Sequence, residues 1–202
     1  MTATTATADT ALLEDVLGDT ETVIRGTRPD QYGLPTPCPE YDVGTLVNHL
    51  VGWLRVFAAG AAGETPDEDP YAYKTGEHPA DEFHDAAQRA VEAFRNGAAD
   101  KSINLGHGDS PGSMIFGMML MEYIGHGWDL ATATGQPASY SDKAVAAAQA
   151  AGASTLKPEY RGAGQTFGDA VSVGASATPL ERLIGFLGRD PRWRRGNQAA
   201  TS

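Results

Sequence analysis

The stretch MLMEYIGHGWDLA, residues 119–131, lies within an apolar run whose only formal charge from Ser113 to Trp128 is Glu122. A segment this long, apolar on every side, predicts a central and largely buried helix, from about Ser113 to Thr134. Gly135 stops it, with Pro137 just beyond. Glu122 and His126 stand four apart and so share one face of that helix. An ionised carboxylate in an apolar interior costs several kcal/mol unless something compensates it. Protonation, a cation partner or a metal ion would each do so. Between Ser113 and Leu130 there is no Lys or Arg, so no partner is close in sequence. Two ligands on one helix and a third from a facing helix is a common construction for a metal site in a bundle. His49 is the natural third residue. Two histidines and a glutamate would leave zinc a fourth position for water or substrate, the catalytic arrangement. A Glu–His pair at this spacing also simply hydrogen-bonds to itself in many helices, and spacing alone leaves both readings open.

Outward from this segment the pattern stays helical. Leu12, Leu13, Val16, Leu17, Val23 and Ile24 form a stripe from about Ala11 to Arg25. After the proline-rich connection GTRPDQYGLPTPCPEYD, Asp42 is placed to cap a second helix reaching about Ala62. On that helix His49 falls beside Leu46 and Trp53, at the flank of the apolar face. The acidic, proline-containing segment 63–82 reads as a loop, and a third helix spans about Ala80–Asn96. KSINLGHGDSPGS has turn chemistry around Gly106 and Gly108, with room for a short strand or a minor β-hairpin. An alanine-rich fifth helix covers 141–155. A short strand is expected at Ala170–Val173, and a last helix at Pro179–Leu187. The fold class is therefore all-α: a single-domain helical bundle with long crossover connections and short extra C-terminal helices. The organisation is a disordered leader at 1–9, a single domain at 10–193, and a disordered tail at 194–202.

Composition narrows the function. The 202 residues carry 15 basic and 26 acidic side chains, a net charge of −11. That balance repels nucleic-acid phosphates and anionic lipid, so neither is an expected partner. No apolar run approaches the roughly 20 residues of a membrane span. Cys38 is the only cysteine, which rules out an intramolecular disulfide and a cysteine-rich zinc site. No signal peptide is legible, and the expected compartment is a reducing cytoplasm.

The segments TPCPEYDVGTLVNHLVGW, EYIGHGWDLATATGQ and LERLIGFLGRDPRW resemble the DinB-like metal-binding helical bundles. The closest likeness is to the actinobacterial branch related to the N-terminal domain of mycothiol-dependent maleylpyruvate isomerase, and it covers about Leu12–Trp193. The resemblance implies a DinB-like four-helix bundle in which His49, in VNHL, and Glu122 and His126, in EYIGH, hold a divalent ion. That ion is expected to be zinc, with Ni2+ or Fe2+ as other divalent candidates. It also implies an open coordination position that accepts a low-molecular-weight thiol such as mycothiol. Coordination would turn that thiol into a thiolate at neutral pH, ready for transfer to, or isomerisation of, a small electrophile. The isomerase itself has an additional C-terminal domain, and this chain ends at Ser202. The expectation therefore rests on metal–thiol chemistry more than on maleylpyruvate as substrate.

Asp129, three residues after His126, is a candidate to orient that imidazole. Trp53 and Trp128 are candidate pocket-lining residues, although aromatic side chains on buried helix faces also serve the core. Cys38 precedes the second helix, whose dipole would lower its pKa; packing is the commoner role. His49 lies seven residues beyond Asp42, about 10 Å along the helix, which argues against Cys38 reaching the same site. His78, His84, His107, Arg55, Arg89 and Arg95 read as surface residues. Two other functions share the donor set: a non-haem iron enzyme built on two histidines and a carboxylate, and a non-catalytic module stapled by metal or binding a small molecule. Apolar helix faces admit a homodimer.

Overall fold

The computed structural model describes residues 9–162 and 167–196. The expected leader, apart from Asp9, lies outside the described residues, as does the expected tail from 197 onward. Among the described residues, six α-helices and one small hairpin make up the fold: α1 (Thr10–Gly26), α2 (Val43–Ala61), α3 (Pro79–Arg95), β1 (Ser102–Asn104), β2 (Asp109–Pro111), α4 (Gly112–Thr134), α5 (Asp142–Thr155) and α6 (Pro179–Phe186).

Helix boundaries follow local chemistry. Asp42 Oδ1 accepts from the Thr45 amide at 2.8 Å, which satisfies one of the unpaired donors that open α2. Ser141 caps α5 in the same way at 3.2 Å. Thr178 and Glu181 form a reciprocal capping box that starts α6. Pro79 opens α3 at a position where no amide is needed. Gly135 ends α4 with φ 76°, a left-handed conformation that a side chain would oppose.

The first four helices form the bundle. Each of α1 and α2 packs against both α3 and α4, so the order around the bundle is α1–α3–α2–α4. α5 lies against the outside of α4, and α6 packs on α5. α4 is thus covered on several sides, which explains its apolar composition. Ile115, Met119, Leu120, Tyr123, Ile124 and Leu130 are all buried along it. Full burial of each such side chain contributes about 2 kcal/mol. Close approach is needed too: a Cβ on Gly127 would lie 1.8 Å from Tyr140 Oη and 3.0 Å from Thr20 Oγ1. Those two hydroxyls meet at the Tyr123 carbonyl, each 3.0 Å from it, and tie α1 and the α4–α5 connection to α4.

β1 and β2 pair antiparallel between α3 and α4. The strand expected at Ala170–Val173 does not form. That segment runs extended beside α6 with a bond from the Val171 amide to the Gly185 carbonyl, 2.8 Å. A helix terminus offers no ladder to extend, so its β-branched residues gain no strand. Among the described residues no helix is long and apolar enough to cross a membrane.

Candidate metal centre

α2 and α4 face each other, which brings His49 to Glu122. His49 Nε2 lies 2.7 Å from Glu122 Oε1, and His126 Nε2 lies 3.8 Å from that same oxygen. The two imidazole centroids are 4.9 Å apart. One ligand atom from each of His49, Glu122 and His126 lies within 4.8 Å of the others. Ligands about 2.0–2.2 Å from one ion lie at most about 4.4 Å apart, and the 2.7 and 3.8 Å edges at Glu122 Oε1 fall within that reach, so the donor set suits a divalent ion. Among the described residues no fourth His, Cys, Asp or Glu joins this group.

Each imidazole is held at its other nitrogen. Tyr41 Oη lies 3.0 Å from His49 Nδ1. Asp129 Oδ2 lies 3.1 Å from His126 Nδ1. Without an ion, His49 Nε2–H donates to Glu122 and Nδ1 can accept from the Tyr41 hydroxyl; with an ion bound, acceptors at both Nδ1 atoms would hold the protons there and leave the Nε2 lone pairs for the metal. Asp129 is fully buried, and its own charge is met by Arg189, whose Nε and Nη2 both lie 3.2 Å from Oδ2. The Arg189 guanidinium also donates to the Leu187 carbonyl at 2.8 Å, which pins it after α6. The cation that the helix sequence lacks therefore arrives from 60 residues away and pairs with Asp129.

The site electrostatics favour an anionic Glu122. Burial pushes its carboxyl up, but interaction with His126, the hydrogen bond to His49 and the charge of Arg189 outweigh that and lower it to about 2. Burial raises the Tyr41 phenol well above its usual value, with Cys38 and Glu122 adding to the effect, so it stays a neutral donor or acceptor.

These side chains line a cavity of about 650 Å³. Its walls mix the aromatic residues Tyr41, Trp53, Phe57 and Tyr71 with Met118 and Met121, and Arg189 and Cys38 also reach it. Tyr71, 69% exposed, stands beside Trp53 at a centroid distance of 5.6 Å. Such a volume holds a small organic ligand, and an apolar wall with a few convergent polar groups is the usual form of a binding site.

The structure brings together His49, Glu122, His126 and Asp129, with Trp53 at the cavity wall. Trp128 does not line the cavity. Two residues past His126 it points about 200° around the helix, into buried packing. As its distance from His49 suggested, Cys38 does not join the His49–Glu122–His126 group. Its sulfur comes within 4.8 Å of ligand atoms of His126 and Asp129, because the connection before α2 folds back over α4. The Thr36 hydroxyl, 2.8 Å from the Cys38 carbonyl and 2.9 Å from that of Tyr41, braces this turn. Burial also pushes the Cys38 thiol up to about 11, the opposite of the lowering a helix dipole would give. The remaining candidates are peripheral: His84 pairs with Glu21, and Arg55, Arg89 and Arg95 pair with Glu68, Glu64 and Glu14. Tyr41 and Arg189 went unassigned by sequence reasoning. Both lie within segments that carry the family resemblance, but nothing local marks either as touching the site.

The family described as the mycothiol maleylpyruvate isomerase N-terminal domain matches residues 13–131. Two curated relatives come from Mycobacterium tuberculosis: the uncharacterized protein Rv0738 of strain H37Rv and the uncharacterized protein MT0763 of strain CDC 1551 / Oshkosh. Each is 33% identical over 171 residues, which is 84% of this chain and 91% of the relative. No solved structure gives a significant match.

Proposed function

The chain belongs to the mycothiol maleylpyruvate isomerase N-terminal domain family, and from that premise we propose that it is a metal-dependent thiol transferase or isomerase. It would use a divalent ion, zinc by preference, and a low-molecular-weight thiol such as mycothiol, with a small electrophile as the second substrate. The observation that carries this reading is the triangle of His49, Glu122 and His126 at the wall of a cavity large enough for such ligands.

When bound, the ion supplies Lewis acidity, which keeps a coordinated thiol ionised at neutral pH. The chain's own residues do the rest. Glu122 supplies the negative charge that offsets the cation. Tyr41 and Asp129 hold protons on the Nδ1 atoms of His49 and His126, which keeps both Nε2 atoms free and correctly turned. Arg189 fixes Asp129 so that the imidazole cannot swing away. Trp53, Phe57, Met118 and Met121 give the cavity an apolar wall that excludes water from the reacting sulfur.

The same donor set suits ferrous iron, so metal analysis of protein purified without added metal distinguishes the two readings. A purely structural staple is disfavoured by the cavity, which leaves the triad accessible, and by the His49–Glu122 hydrogen bond, which satisfies both groups without an ion. The test is isothermal titration of mycothiol into zinc-loaded and chelated protein. Binding to the loaded form alone is expected. Equal binding to both forms, or to neither, overturns the proposal.

A further inference from the structure

His126 belongs to two groups of potential ligands. The second contains Cys38, from the connection before α2, and Asp129, one turn further along α4. One ligand atom from each of Cys38, His126 and Asp129 lies within 4.8 Å of the others. The coordination at Asp129 is incomplete. Its Oδ2 meets His126 Nδ1 and both donors of Arg189, while Oδ1 is buried with no hydrogen-bond partner among the described residues. A buried carboxylate oxygen without a donor is costly, and each such atom calls for a specific explanation.

We propose that Cys38, His126 and Asp129 form a second cation site, suited to thiophilic divalent ions, that draws on the same imidazole as the His49–Glu122–His126 triad. The donor chemistry is distinct. A sulfur ligand selects soft ions such as Cd2+ and Zn2+ over Mg2+ or Ca2+. Asp129 and a Cys38 thiolate bring two negative charges, against the single positive charge of Arg189. Arg189 occupies Oδ2 and stands 3.4 Å from both ring nitrogens of His126 through Nη2, while Oδ1 has no donor among the described residues. Cys38 and His126 both line the cavity, which provides the route of entry. Binding exchanges one proton: the Cys38 S–H bond breaks, a sulfur–metal bond forms, and the proton passes to solvent.

The shared ring makes the two sites competitors. In the triad, His126 offers Nε2 and keeps its proton on Nδ1, donating to Asp129. In the second site it offers Nδ1 and keeps the proton on Nε2, facing Glu122 Oε1. A neutral imidazole serves one ion at a time, so a soft ion held by Cys38 withdraws a ligand from the triad. This inference uses the triad's geometry but does not depend on thiol transfer being its function.

The test is a Cd2+ titration of chelator-stripped full-length chain, followed by thiolate-to-metal charge-transfer absorption in the ultraviolet and by calorimetry. Cys38 is the only cysteine, so any thiolate band reports that residue. The expected result is a saturable band at one thiolate per bound ion. It should be absent in Cys38→Ser and retained in His49→Ala. Cd2+ affinity at this band should fall at least about tenfold in Asp129→Asn and in His126→Gln, two variants that need not share a folding defect. Wild-type protein that binds an ion without a thiolate band overturns the second site and leaves the triad standing. Wild-type protein that binds no ion overturns both. A band of unchanged affinity in both ligand variants overturns the site as well, since it would reduce Cys38 to an isolated thiol.

Discussion

Replacing Asp129 by Asn tests the support of the centre most severely. Asp129 is fully buried and faces Arg189, whose side chain is only 12% exposed, at 3.2 Å. Asn keeps the shape and one carbonyl acceptor but removes the charge, leaving the guanidinium buried beside a neutral amide. Breaking a buried pair in this way costs about 3–5 kcal/mol. For a chain of this size each kcal/mol shifts Tm by about 2–4 °C, so the variant should melt at least about 6 °C below wild type. Part of that loss belongs to Arg189, which a double-mutant cycle isolates. Once Arg189→Met is present, Asp129→Asn should be milder by about 1–3 kcal/mol. Zinc affinity should also fall about 10–100-fold, because His126 loses the acceptor that fixes its Nδ1 proton. Chemical denaturation of the four proteins, with zinc calorimetry on each, supplies both numbers. Additive effects of the two substitutions, together with unchanged zinc affinity in Asp129→Asn, would refute the network as described.

Three further outcomes follow from the geometry. Gly127→Ala places a methyl 1.8 Å from Tyr140 Oη and should cost about 3 kcal/mol by overpacking and by loss of the bond to the Tyr123 carbonyl, read as a lowered denaturation midpoint. Tyr41→Phe removes the hydroxyl from His49 Nδ1 and should weaken zinc about tenfold in calorimetry while leaving the far-ultraviolet circular dichroism unchanged. In chelated protein the Glu122 carboxyl titrates at about 2 when folded, against an ordinary value of 4.5. Its contribution to stability is then complete above 4.5 and is lost as pH falls toward 2. Urea unfolding across that range should show a decline that Glu122→Gln flattens, and parallel curves for the two proteins would contradict the assignment.

The bundle was legible because each helix is amphipathic or, in α4, apolar throughout, and because the stops are chemical. Asp42, Ser141 and Gly135 act at the ends of their helices in the way their side chains, or the lack of one, dictate. His49, Glu122 and His126 were legible as a set because helical spacing places two of them and family resemblance supplies the third. Irregular chain was not legible. Cys38 lies before the cap of α2, and distance along that helix says nothing about where the preceding connection goes. That connection crosses α4 and carries Cys38 and Tyr41 onto the site. Arg189 follows a turn at Gly188 and reaches Asp129 through tertiary packing alone. Trp128 misled for the opposite reason: nearness to His126 in sequence is not nearness on the helix face.

The central claim is that one dication sits between α2 and α4 on His49, Glu122 and His126. Anomalous diffraction at the zinc absorption edge, on crystals of zinc-loaded protein, examines this directly. The account predicts a strong peak about 2.0–2.2 Å from Nε2 of both histidines and from a Glu122 oxygen. A His49–Glu122 hydrogen bond retained at saturating zinc, with no peak between the helices, would contradict it.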